Sequence, residues 1–276
     1  MRQVNKNAIC LGEKWLPYRA AEAEYTFTVH SVFNRVINIS VGGRRLLSIA
    51  ASGTGGSSTF LSLPDKELDF GVASGESCVL RAGRLILPGI IINFDKAPLW
   101  KGPIGREYRQ KTIKKENIAA FKAVLDRKAP RESAWRSINS DSGGKFAGLK
   151  AVKELRENPS LARNLIGLGM GLTPAGDDMV LGFLAIVNHT CCNRDYINML
   201  RGIVSNSTQK TTIISENMLA NALNCDYHEL LQNSLRDLCE GEQEDIYIST
   251  ASLINLGASS GSDIACGMYF GMIGLE

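Results

Sequence analysis

Val36-Ile-Asn-Ile-Ser-Val-Gly-Gly-Arg-Arg-Leu-Leu-Ser-Ile-Ala50 sets the fold of the N-terminal part. Residues 36–41 alternate apolar and polar side chains, the two-residue period of a strand with one buried face. Gly42-Gly43 then offers two residues free to take positive φ, which a tight hairpin needs. Residues 45–50 read as the returning strand. The same character extends in both directions. Tyr25-Thr-Phe-Thr-Val29 is β-branched and aromatic. Thr59-Phe-Leu-Ser-Leu63, Leu85-Ile-Leu87 and Ile90-Ile-Ile-Asn-Phe94 follow, with Gly and Pro between them. A β-rich barrel or sandwich is expected over residues 1–100.

The period then changes. Residues 96–105 hold Pro98, Gly102, Pro103 and Gly105 and read as a linker. Ile118, Phe121, Val124 and Leu125 have the spacing of an amphipathic helix within 113–127. Ser140-Asp-Ser-Gly-Gly144 reads as a loop. Further helices are expected over 147–157, 174–189, 211–223 and 246–256, and from Ser262 onward. Asp226 and Glu229 have the spacing of a capping box opening one more. The expectation is therefore α+β by segregation, with a helical domain over 101–276.

Composition narrows the class. With 44% hydrophobic and 21% charged residues the chain is an ordinary globular one, and 276 residues suffice for two modest cores. The runs Met179–Val187 and Ile264–Leu275 fall short of the roughly 20 apolar residues of a membrane helix. Residues 1–16 lack the apolar centre of a signal peptide. Seven cysteines, with no C-x-x-C pair, argue against a disulfide framework and a structural zinc site. A cytoplasmic protein without membrane contact is expected. From Lys96 to Arg136, 12 basic and 4 acidic residues give +8, against +3 for the whole chain. That face could steer anions, but its aromatics are too sparse to point to nucleic acid. His30, His189 and His228 have no metal-ligand spacing, and no nucleophile elbow occurs.

The chemistry concentrates in Gly167-Leu-Gly-Met-Gly-Leu-Thr-Pro-Ala-Gly-Asp-Asp178. Three alternating glycines lead to Thr173-Pro174, a reading of N-cap followed by first helical residue. Backbone N–H groups at such a start form an anion site. Leu256-Gly-Ala-Ser-Ser-Gly-Ser-Asp263 echoes it: Gly176-x-Asp178-x-x-x-Gly182 matches Gly261-x-Asp263-x-x-x-Gly267. Both run into helices too apolar to be exposed. Glycines four residues past the acid predict close helix–helix contact, with the two N-termini converging on one site. An acid in the first helical turn also serves the helix dipole without any ligand, worth about 0.3–1 kcal/mol. Adjacent acids lie about 100° apart around a helix, so Asp177 and Asp178 should have different roles: one to hold Mg²⁺ or a substrate amide, the other to cap locally. A third glycine-rich loop, Ser52-Gly-Thr-Gly-Gly-Ser-Ser58, has the composition to cradle a carboxylate or phosphate through Thr54, Gly55 and Gly56. It lacks the Gly-Lys-[Ser/Thr] of a P-loop.

The segment 167–178 resembles the signature of the AllH family, which includes a subunit of oxamate carbamoyltransferase. The family pattern runs Gly-x-Gly-Pro-Gly-Leu-Thr-Pro-x-x-Asp-Asp, with a later Leu-Gly-His-[Thr/Ser]-Ser-Gly-x-Asp that stands here as residues 256–263. Met170 replaces the family's Pro and Ala258 its His. The resemblance implies conversion of oxalurate and phosphate to oxamate and carbamoyl phosphate in allantoin and purine breakdown. It also implies a multi-subunit enzyme with an FdrA-type partner and a further subunit; a homo-oligomer is left open beside it. On that reading Asp177, Asp178 and Asp263 are the catalytic candidates. Gly169, Gly171, Thr173, Ser259, Ser260 and Gly261, with Thr54, Gly55 and Gly56, would bind the small anionic substrates. No cofactor is assigned; Mg²⁺ is the ion such acids would take, and the metal is otherwise left open. The alternative is a non-catalytic scaffold that binds a small anion or nucleotide for an acyl-CoA-synthetase-like partner.

Overall fold

The computed structural model describes residues 4–101, 112–139 and 147–273. The expected loop 140–144 lies outside them, as does the expected linker from residue 102 on. The chain divides into two compact units, Met1–Pro103 and Ile104–Glu276.

The first unit is a curled nine-stranded sheet, a half-barrel. Its strands are β1 (Val4–Asn7), β2 (Cys10–Leu11), β3 (Tyr25–Val32), β4 (Val36–Ser40), β5 (Leu46–Ala50), β6 (Phe60–Ser62), β7 (Ser77–Arg81), β8 (Arg84–Leu87) and β9 (Ile90–Asn93), with a short helix α1 (Leu16–Arg19) after β2. The order is β1-β9-β8-β7-β3-β4-β5-β6-β2. The predicted hairpin is β4–β5, paired antiparallel from Val36↔Ala50 to Ser40↔Leu46. Gly42 and Gly43 take φ of 101° and 58° in its turn. The two edge strands of the sheet are successive pieces of one segment. The Ala8 N–H donates to Asn93 O at 2.8 Å on one edge, and the next N–H, of Ile9, donates to Ser62 O at 2.8 Å on the other. The core inside the curl includes Leu11, Trp15, Ile37, Ile49, Leu61, Leu85 and Phe94, each at most 1% exposed.

The second unit is helical. It comprises α2 (Lys115–Lys128), α3 (Ala134–Ile138), α4 (Ala162–Leu165), α5 (Ala175–Thr190), α6 (Arg194–Ser205), α7 (Ile213–Ala222), α8 (Glu229–Glu240), α9 (Gln243–Ile254) and α10 (Ser260–Met272). Helices α5 and α10 form its centre. Every residue of α5 from Gly176 to Thr190 is buried, the state expected of a helix apolar on all sides. Helices α2, α3 and α9 pack on α10, and α4 and α7 pack on α5.

Three expectations give way and one helix is added. Residues 147–154 form a 3₁₀ rather than an α-helix. Helix α8 opens on His228, whose side chain accepts the Leu230 N–H, so Asp226 is not its cap. Helix α6 was not anticipated, although Asn193 caps it by accepting the Tyr196 N–H and it buries Leu200 and Val204 at helical spacing. Pro174 occupies the N-cap position of α5, so Thr173 stands one residue outside the helix.

Candidate functional site

The predicted glycine contacts form and they are reciprocal. A β-carbon on Gly182 would lie 2.0 Å from Ile264 O, and one on Gly267 would lie 1.9 Å from Met179 O. Gly271 lies further along, against Ile186 and Phe183. The helices therefore run in the same direction, with both N-termini at one end. Adding 85 to Gly182 and subtracting 85 from Ile264 turns the first contact into the second, so the sequence echo is a structural pseudo-repeat in which the helices exchange roles. The helix entries repeat as well. The Gly176 N–H donates to Leu168 O at 2.8 Å and the Gly261 N–H to Leu256 O at 2.9 Å. Beneath them, β-carbons would strike Leu165 O at 2.0 Å and Leu253 O at 1.8 Å. These glycines are explained by backbone packing. The Gly261 N–H, expected to bind an anion, is already used.

Where the helices meet, the Thr173 and Ser260 hydroxyl oxygens are 2.7 Å apart. Freed from capping, Thr173 joins the two motifs instead. Both hydroxyls also face the carboxyl group of Asp178, which is 1% exposed. Among the described residues its Oδ2 has no hydrogen-bond partner. Burial pushes the Asp178 carboxyl well above the usual range, and the like charges of Asp263 and Asp177 add to this. Asp263, equally buried, accepts the Ala134 N–H at 2.6 Å and so holds the start of α3. Burial raises it to about 6, against the lowering effect of Ala134 and Ser259.

Asp177 points elsewhere. It accepts the Gly167 N–H at 2.7 Å and the Thr211 hydroxyl, and burial raises it too. It ties the glycine loop to the segment before α7, as the 100° offset of adjacent helical residues requires. The Thr212 hydroxyl donates to Leu172 O at 2.5 Å from the same segment. Gly167, Gly169 and Gly171 all have positive φ, of 82°, 131° and 91°. Gly169 lies over the helix start: its β-carbon would stand 2.7 Å from Ala175 N. Among the described residues, the N–H groups of Gly169, Met170 and Gly171 find no backbone acceptor. The loop is open at its tip, where Met170 is 73% exposed. Ser259 stands at the N-cap of α10 without capping it, and Ala258 is exposed beside it.

Residues 165–272 match the family model described as oxamate carbamoyltransferase subunit AllH. The match is to the AllH family. It spans both motifs, α5, α10 and everything between them, and it is the family that the two motifs resemble. No curated protein and no solved structure matches the chain. Two residues that position these acids carry no sequence signal: Ala134 contributes only its N–H, and Thr211 lies far from Asp177 along the chain.

The remaining candidates lie in the first unit. In the loop after β5, the Thr54 N–H donates to Ala51 O at 3.3 Å, Gly55 has φ of 95°, and Gly56 is covered by the Trp100 indole. Among the described residues no group of three or more His, Cys, Asp or Glu side chains is arranged to hold a metal. No helix among them is long and apolar enough to cross a membrane.

Proposed function

We propose that this chain is a subunit of an oxamate carbamoyltransferase-type enzyme. The reaction is oxalurate plus phosphate to oxamate and carbamoyl phosphate, in the cytoplasmic breakdown of allantoin and purines. The carrying observation is the Thr173–Ser260 contact, which brings the two AllH motifs to one point. Phosphate, oxalurate and oxamate are small anions. The glycine-loop N–H groups without a backbone acceptor among the described residues and the two hydroxyls suit them, as donors fixed beforehand stabilise developing negative charge. Asp178 faces the same point and suits the carbamoyl group. No residue there is a ready nucleophile, which accords with a site shared with an FdrA-type partner and a further subunit.

The burial of all three acids favours a second reading, a scaffold whose carboxyls serve only to join helices. One experiment separates the two. The chain is co-expressed with the partner subunits and phosphate-dependent release of oxamate from oxalurate is measured, with Thr173→Val and with Ser260→Ala. Loss of activity by about 10²–10³-fold in an intact complex supports the shared site. Full activity in both variants leaves the scaffold.

A further inference from the structure

Three acids are buried at the joined helix starts, and their partners separate them. Both oxygens of Asp177 are engaged, by Gly167 and Thr211. Asp263 accepts the Ala134 N–H and faces the Ser259 hydroxyl. Asp178, which the Thr173 and Ser260 hydroxyls face, keeps Oδ2 without a partner among the described residues, in a residue 1% exposed. A buried oxygen left unsatisfied costs about 1–3 kcal/mol, a cost that a ligand at this point removes.

The proposed reaction has a matching need. When phosphate attacks the carbamoyl carbon, the bond to the amide nitrogen of the oxamate half must break. Unassisted, that nitrogen would leave as an amidate, a far stronger base than phosphate. A proton must reach it as the bond breaks. We propose that Asp178 is the acid that protonates this leaving nitrogen, with Asp263 receiving the proton of the attacking phosphate. The inference rests on the carbamoyltransferase reading above.

The step balances. A phosphate oxygen forms the new C–O bond and the C–N bond breaks, its electron pair staying on nitrogen. Asp178 gives that nitrogen its proton and becomes a carboxylate. The phosphate hydroxyl passes its proton to the Asp263 carboxylate. The products are carbamoyl phosphate and oxamate, and moving one proton from Asp263 to Asp178 resets the pair. Burial and the neighbouring charges favour an uncharged Asp178, as the starting state requires. The ionisable groups bearing on it are Asp263 from α10 and Asp177 from α5; Thr173 and Ser260 supply hydroxyls.

The test uses the assembled complex, phosphate and two carbamoyl donors. One is oxalurate. The other is 4-nitrophenyl carbamate, whose leaving group departs without a proton. Asp178→Asn keeps the shape and is checked for assembly by gel filtration. Its kcat on oxalurate should fall by about 10²–10⁴-fold, the usual range for an acid catalyst, and by less than about tenfold on the aryl carbamate. Equal losses on both donors, or none on oxalurate, overturn the inference. If Asp178→Asn does not assemble, the wild-type pH profile decides. kcat on oxalurate must fall at high pH as Asp178 loses its proton, while kcat on the aryl carbamate must not. Parallel profiles overturn the inference. A wild-type complex inactive on both donors refutes the carbamoyltransferase reading itself, before any variant is compared, and this inference falls with it.

Discussion

Gly267 of α10 lies against Met179 of α5 so closely that a β-carbon would stand 1.9 Å from the Met179 carbonyl oxygen, and Gly182 repeats the relation against Ile264 at 2.0 Å. Backbone cannot yield as a flexible side chain can, so Gly182→Ala and Gly267→Ala must push the two helices apart. Each should cost about 1–3 kcal/mol, or roughly 2–4 °C in Tm per kcal/mol. Gly202 in α6 is the control. Among the described residues nothing lies within 4 Å of its would-be β-carbon, so Gly202→Ala should raise Tm by the equivalent of about 0.5–1 kcal/mol. Thermal melts of the three variants check this.

The two adjacent acids should respond oppositely. Asp177→Ala strands the Gly167 N–H and the Thr211 hydroxyl, at about 2–3 kcal/mol, and loosens the glycine loop. Faster proteolytic cleavage within 167–173 is the readout. Asp178→Asn replaces a carboxyl that burial holds uncharged with a neutral group of its shape. It should leave urea unfolding unchanged or shift it to higher urea.

Asp263 gives stability a pH dependence of unusual sign for an acid. Its pKa rises from an ordinary 3.8 to about 6 on folding. The folded state therefore holds the proton more tightly, and stability is lost as pH rises from about 4 to about 6. At about 1.4 kcal/mol per unit, the full effect is about 3 kcal/mol. Asp263→Asn should be the more stable protein at pH 7 and show little advantage near pH 4. Melts across that range decide it; a difference that does not change with pH would mean that folding leaves the Asp263 carboxyl at its ordinary value.

In the first unit, Gly12→Ala places a β-carbon 2.2 Å from Ser58 O. It should unfold that unit at lower denaturant, seen through the fluorescence of Trp15, which is buried nearby at 1% exposure.

Much of this was legible where local chemistry acts alone. The β4–β5 hairpin followed from alternation and two glycines, and the α5–α10 contact from the spacing Gly-x-Asp-x-x-x-Gly. The errors lie where local preference meets packing. Thr173 has the composition of a cap, but the Ser260 hydroxyl gives it a partner across the pseudo-repeat. The Gly261 N–H looked available until the chain before α10 turned back to offer Leu256 O. Asp226 and Glu229 have capping-box spacing, yet His228 opens α8. The partners of Asp177 and Asp263 come from Thr211 and Ala134, which no spacing rule connects to them.

The segment 4–11 fastens both edges of the curled sheet, and this bears on how the first unit is made. Strand β1 pairs with β9 from Val4↔Ile90 to Asn7↔Asn93, while β2 pairs with β6. Each hairpin between them can form from near neighbours, but the seam at Ala8 and Ile9 cannot close until residues 90–93 exist and are placed. Contacts so distant along the chain slow folding, because loop closure costs entropy before the contact returns it. The seam should therefore be the last part of the unit to gain protection from hydrogen exchange on refolding.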